Sequence, residues 1–264
     1  MEQNKALCDR PNARRVVDLI LDVSVLLIES GAHCGRISRN VKRLADTLEF
    51  KVELFISFSG ICATVIDNYN PDNTYSRIRN VSKQGIHYSI VTEISLLTWD
   101  AYEKHASIDE IEWKVRLARQ APKHNIWMIR LFIALASGSL CLLAGGDWVD
   151  GTFGFFAGLL GLVTRQIVLK KGFNQMLSIA LGSFVATCVT SLDMITQLGA
   201  SPEKAVATGV LFLIPGVPLI NCVIDLIQGF FTAAIARGAY GGFILLSIAI
   251  GMFFSMTLFG LHNF

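Results

Sequence analysis

The residues with most chemistry to offer lie in an apolar stretch, Leu213-Ile214-Pro215-Gly216-Val217-Pro218-Leu219-Ile220-Asn221-Cys222-Val223-Ile224-Asp225-Leu226-Ile227-Gln228-Gly229. Asn221 and Asp225 are one helical turn apart and share a face, with Gln228 three residues further on, roughly on the same side. An amide in this setting binds polar groups, and a carboxylate carries a proton or pairs with an ammonium. An aspartate at membrane depth is costly and is by default a functional residue. Pro215 and Pro218 each remove a backbone donor and clash with the preceding turn, and Gly216 adds freedom between them. The segment is therefore expected to kink or unwind, and unwound backbone in a bilayer persists only where it is buried in protein or lines a wet cavity. The partner expected for Asp225 is Arg165, which could also meet a carboxylate. The plainer alternative is an ordinary proline kink, with Asp225 in a structural ion pair or at the cytoplasmic interface.

Other constellations are weak. The six cysteines, Cys8, Cys34, Cys62, Cys141, Cys188 and Cys222, are scattered without a CxxC pair or metal spacing, and read as free thiols in a reducing compartment. His33 adjoins Cys34, and His87 and Glu93 share a stretch, but core or surface roles suit them better than a metal site. Asp150 and Asp193 read as loop-end residues. The sequence has no Walker motif, no GxSxG and no glycine-rich phosphate loop, so neither an ATP-driven pump nor an enzyme is expected, and no cofactor or metal is implied.

These residues must be positioned by two different kinds of chain. Of the 264 residues, 52% are hydrophobic and 17% charged, against about 25% charged in a soluble protein. Most of the charge falls before residue 125, which sets a boundary between a soluble α+β domain, residues 1–124, and a helical membrane domain, residues 125–264. In the first part Val16, Ile20, Val23 and Leu27 recur at helical spacing around Asp18 and Asp22, which predicts an amphipathic helix with one buried face, ended by Gly31. Ile37, Val41, Leu44 and Leu48 predict a second helix. Its other face carries Arg36, Arg39, Lys42 and Arg43, for solvent or anionic lipid. Val52–Phe58, Ile61–Ile66 and Thr74–Val81 read as strands, with a turn over Asn68–Asn73. A helix is expected near Val91. Ser107-Ile108-Asp109-Glu110 has the form of a capping box opening another through Arg119, and Pro122 closes the domain.

In the second part, spans of about 20 apolar residues are expected at Ile126–Ala144, Trp148–Leu169, Phe173–Leu192 and Tyr240–Leu261. The run Ala205–Ala236 would reach about 48 Å as a straight helix, so it must bend, break or leave the membrane. Gly151, Gly154, Ala157, Gly158 and Gly161 on the second span predict close helix packing. The fold class is a membrane protein: a small α+β cytoplasmic N-terminal domain followed by a bundle of about five transmembrane helices. No signal peptide is visible, and the positive residues Lys123, Arg130, Arg165, Lys170, Lys171 and Arg237 place the N-terminus inside and the C-terminus outside. The formal net charge of +2 is too small to suggest nucleic acid.

The chain resembles the threonine/serine exporter family over essentially its whole length. The resemblance rests on Pro215-Gly216-x-Pro218-Leu219-x-Asn221 followed by Asp225 and Gly229, on Arg165-Gln166 with Phe173-Asn174, on Gly31-Ala32 and on Val91-Thr92-Glu93. It implies a bacterial inner-membrane secondary transporter that exports a small polar metabolite, threonine and serine or a dicarboxylate such as succinate, driven by the proton gradient. Fused members are about twice this size, so the resemblance is to the N-terminal half of the split form, whose partner is a second small membrane subunit; a homo-oligomer is also open. On this implication Pro215, Gly216 and Pro218 shape the site, Asn221 binds cargo, Asp225 carries a proton or meets an ammonium, and Arg165 meets a carboxylate. A membrane-tethered ligand-sensing or regulatory module remains the alternative.

Overall fold

The structure is a computed structural model that describes residues 11–81, 85–120 and 125–261. Expectations for Cys8, Pro122 and Lys123 lie outside the described residues. The chain forms two compact units. The first holds Met1–Pro122 with Val217–Gly238, and the second holds Lys123–Gly216 with Ala239–Phe264.

The first unit is built around helix α1, Ala13–Glu29. Twelve of its seventeen residues are buried, so it is a central helix rather than one with a single buried face. The cause is its neighbours: it packs on a sheet and also against three helices. The sheet is an antiparallel meander of β1, Phe50–Ile56, β2, Gly60–Asp67, and β3, Thr74–Asn80. Its register aligns Leu54 with Ala63 and Ala63 with Arg77. The helices are α2, Cys34–Thr47, α3, Tyr88–Lys104, and α4, Ile108–Arg119. Asp18 and Asp22, which interrupt the apolar pattern of α1, pair with Arg77 and Arg79 of β3. Ser107 caps α4 by accepting from the Glu110 N–H at 3.4 Å. Arg43 departs from the expected solvated stripe. Its guanidinium stacks 3.6 Å from the Trp99 ring centroid and donates to Thr98 Oγ1 at 2.7 Å.

The second unit contains α5, Ile126–Leu143, α6, Trp148–Lys170, α7, Gln175–Thr196, and α8, Pro202–Gly209, which leads into a single 3-10 turn, Leu211–Leu213. Helix α9, Gly216–Ile227, belongs almost wholly to the first unit, and α10, Phe231–Leu258, begins there and continues into the second. Four helices, α5, α6, α7 and α10, are long and apolar enough to cross a membrane, and a fifth span exists if Pro202–Leu213 and Gly216–Ile227 count as one broken crossing. The long run expected over Ala205–Ala236 is thus interrupted twice. The last span starts nine residues before the expected Tyr240.

Small residues join the helices of the second unit, as expected. A Cβ on Gly161 would stand 2.8 Å from the Gly182 carbonyl oxygen, and one on Gly182 would stand 3.0 Å from that of Gly161. The backbones of α6 and α7 are therefore in direct contact, which compensates for the missing hydrophobic drive in lipid. Tighter still, a Cβ on Gly251 of α10 would lie 2.2 Å from the Ala180 carbonyl oxygen. Gly251→Ala is expected to destabilise the bundle by about 1–3 kcal/mol, the usual cost of overpacking. Gly242→Ala has open space around its Cβ and is the matched control. Thermal unfolding of both purified variants checks this, with a lowered midpoint expected for the first alone.

Candidate functional site

The break before α9 comes from the Pro215-Gly216-Val217-Pro218 sequence, but the two prolines act differently. The 3-10 turn ends at Leu213, Ile214 is extended with φ −60° and ψ 129°, and helix resumes at Gly216. Pro215 stands at the break. Pro218 sits in the first turn of α9, where its missing N–H would have had no intrahelical partner. The helix is broken at one point rather than kinked twice. Gly229, with φ +83°, ends α9. Phe230 N–H donates to the Asp225 carbonyl at 2.8 Å and Gly229 N–H to that of Leu226 at 3.2 Å, which is a Schellman turn.

A second Schellman turn ends α1. Gly31 has φ +91°, Ala32 N–H donates to the Leu27 carbonyl at 3.0 Å, and Gly31 N–H to that of Ile28 at 3.1 Å. The next residue, His33, is already the N-cap of α2, and its Nδ1 accepts from Arg36 N–H at 3.3 Å. The turn Gly31-Ala32-His33-Cys34 therefore shows backbone groups with no helical partner, and these are answered by side chains of α9 and α10. Asn221 Nδ2 donates to the Gly31 carbonyl at 2.8 Å. Arg237 Nη2 donates to the Ala32 carbonyl at 3.2 Å. The Cys34 N–H, at the start of α2, donates to Asp225 Oδ1 at 2.7 Å. The other carboxylate oxygen, Asp225 Oδ2, lies 3.4 Å from Arg237 Nε, an ion contact outside hydrogen-bond geometry. Gln228 lies over Gly35, where a Cβ would fall 1.8 Å from Oε1.

Burial makes this cluster consequential. Asp225 is 0% exposed, Arg237 4% and Asn221 8%. The carboxylate gains from the positive end of the α2 dipole, a backbone donor and a guanidinium at once. The same surroundings act on the turn itself. Burial pushes the Cys34 thiol up to about 12. Burial, with Arg39 adding to it, holds His33 below its ordinary value, so the imidazole favours the neutral form.

Among the residues singled out in the sequence, the structure brings Asn221, Asp225 and Gln228 together. Pro218 lies on the same helix, whose first residue, Gly216, belongs with Pro215 and Arg165 to the second unit. The ion partner of Asp225 is Arg237, not Arg165. Arg165, on α6, packs against Gly182, and its Nε is buried with no hydrogen-bond partner among the described residues. In the sequence Arg237 reads only as a flanking charge, and its pairing with Asp225 is not visible there. The parts played by His33 and Cys34 are not visible there either. The available signal was Gly229, a helix stop that returns the following chain towards Asp225.

Four helices long and apolar enough to cross a membrane, with a fifth crossing if the broken pair counts as one, are the build of a polytopic membrane protein. The family model of the threonine/serine exporters (ThrE) matches residues 18–259, and the chain belongs to that family. It is 28% identical to a Klebsiella aerogenes protein named "Probable succinate transporter subunit YjjP", over 97% of this chain and 98% of that protein. It is 24% identical to the "Threonine/serine exporter" of Corynebacterium glutamicum over 88% of this chain and 48% of that protein. A Mycobacterium tuberculosis protein named "Probable threonine/serine exporter" is 21% identical over 94% and 47% respectively. This chain thus spans about half the length of those two exporters. No solved structure matches it.

Arg237→Met strands the buried Asp225 charge and is expected to cost about 3–5 kcal/mol, most of it recovered in Asp225→Asn/Arg237→Met. Thermal unfolding of both single variants and the double variant tests this. Cys34 is expected to resist alkylation in the folded chain and to label fully on denaturation. The folded chain keeps this proton between the thiol's ordinary 9.0 and about 12, where the unfolded chain loses it. Its contribution to stability is therefore whole below that window and falls as pH rises through it.

Proposed function

We propose that this chain is the larger subunit of a secondary transporter that exports a small polar metabolite across the bacterial inner membrane, with a second small membrane subunit completing the pathway. The single observation that carries the reading is the buried Asn221–Asp225–Arg237 cluster on helices that flank a broken apolar segment. Charged groups buried on apolar helices are by default functional, even where one face docks on a soluble domain as here. Near-complete coverage of a relative named as a succinate transporter subunit supports a dicarboxylate over threonine or serine. Arg165, whose buried Nε has no partner among the described residues, fits a carboxylate of that cargo. Residues 1–124 are assigned to the cytoplasm on the positive charge of the flanks, with the C-terminus external. The proton gradient is the proposed driving force, and a homo-oligomer is compatible with this assignment.

A second reading, a ligand-sensing module that regulates rather than conducts, draws support from the docking of Asn221, Asp225 and Arg237 on the 31–34 turn. Export assays of the full chain co-expressed with its small partner separate the two. On the transport reading Asp225→Asn lowers export at least tenfold at unchanged membrane abundance. On the regulatory reading basal export survives and only its response to internal cargo concentration is lost. Arg165→Gln is expected to raise the cargo concentration needed for half-maximal export, with Arg165→Lys retaining part of the affinity, and an unchanged value in both would remove Arg165 from cargo binding.

A further inference from the structure

A second pair of carboxylates lies in the second unit, away from the Asp225 cluster in sequence and unused by it. Asp150 stands in the first turn of α6 and Asp193 in the last turn of α7, and both are 0% exposed. One oxygen of each is satisfied by backbone. Asp150 Oδ2 accepts from the N–H groups of Asp147 at 2.8 Å and Ser201 at 3.1 Å, and Asp193 Oδ1 accepts from Gly199 N–H at 3.0 Å. The remaining oxygens, Asp150 Oδ1 and Asp193 Oδ2, are buried with no hydrogen-bond donor among the described residues. They converge beneath Gly199, where a Cβ would stand 1.9 Å from the first and 3.0 Å from the second. The two oxygens therefore lie within about 5 Å of each other.

The packed elements bring no compensating charge to these oxygens among the described residues. From α5 comes Cys141, whose Sγ lies beside Gly146, next to the Asp150 side chain. At the N-cap of α6, Asp147 is committed to the N–H groups of Val149, Asp150 and Ala200, which hold its carboxyl below the usual carboxylate range. On α8, Glu203 is exposed, and Lys204 directs its ammonium to the Gly145 carbonyl at 2.7 Å. No ion pair reaches Asp150 or Asp193 among the described residues, and no three His, Cys, Asp or Glu side chains there converge as a metal ion would require. Two carboxylates this close, sealed from solvent and facing no donor among the described residues, repel each other strongly unless a proton is shared between them.

We propose that Asp150 and Asp193 form a proton-sharing dyad in which a single proton bridges Asp150 Oδ1 and Asp193 Oδ2. Loading makes one O–H bond and takes the pair from two negative charges to one; discharge reverses it, with no other reactant. The proton belongs to the pair rather than to either residue. Asp225 is held by Arg237 and the Cys34 N–H, whereas the facing oxygens of the dyad have no donor among the described residues. Use of the dyad in coupling export to the proton gradient rests on the transport reading above, whereas its existence does not.

Infrared spectroscopy of the full chain in lipid vesicles tests the site directly. The wild-type protein at neutral pH is expected to show one buried carboxylic-acid C=O band per chain that shifts in D2O. Either single substitution, Asp150→Asn or Asp193→Asn, is expected to remove it, because an amide donor leaves the remaining carboxylate ionised. Absence of the band from the wild type overturns the proposal without reference to any variant. Survival of the band in either folded Asn variant, or its loss when sodium replaces potassium, overturns it as well, the first pointing to an isolated acid and the second to a cation site. With the band established, export by Asp150→Asn and Asp193→Asn should lose its dependence on the pH gradient. Retained dependence would overturn the coupling role and leave the proton site standing.

Discussion

A carboxylate removed from water must be answered by the protein, and in this chain the answer to Asp225 organises the first unit. The Cys34 N–H, the start of the α2 dipole and the Arg237 guanidinium surround it. None of these would be in place without the tight turn that ends α1 at Gly31 and opens α2 at His33. The positive φ at Gly31 leaves little room for a side chain, since a Cβ would come 3.2 Å from the Gly85 carbonyl oxygen and 3.6 Å from Val217 Cγ1. The turn is thus fixed from both sides, by its own backbone geometry and by the helix docked upon it. A local backbone motif near residue 31 and a buried ion contact near residue 225 become one structural unit.

The second unit solves a different problem. Its helices have no hydrophobic reason to associate in lipid, so they associate by close backbone approach at Gly161, Gly182 and Gly251. The other polar side chains buried among its described residues are serines and threonines, which makes the enclosed Asp150–Asp193 pair conspicuous. Both residues lie at helix ends, where backbone N–H groups from the 199–201 loop supply partial compensation.

The elements of the N-terminal module were legible because the apolar period changes visibly from helix to strand between Leu48 and Val52. Its central helix was misjudged because Asp18 and Asp22 suggested a solvated face, whereas β3 supplies Arg77 and Arg79 to pair with them. Pair formation across elements leaves no mark in local periodicity. The spans were legible from hydropathy, but the run from Ala205 to Ala236 hid its internal breaks, and the signal was in Gly229 rather than in the apolar residues. Asn221, Asp225 and Gln228 were placed on one face by their spacing alone. Arg237 was not, since its approach to Asp225 depends on a chain reversal. Asp150 and Asp193 are 43 positions apart in sequence, and only the packing of α6 against α7 brings their carboxyls together.

Helix α9 is bounded by two non-helical joints, Ile214–Pro215 on one side and Gln228–Phe230 on the other. At twelve residues it is a lever about 18 Å long. Its one firm hold is on the 31–34 turn, through Asn221 and Asp225, and the Gly229 turn adds two backbone bonds at its far end. Any swing of this rod must therefore begin by releasing its polar grip on that turn.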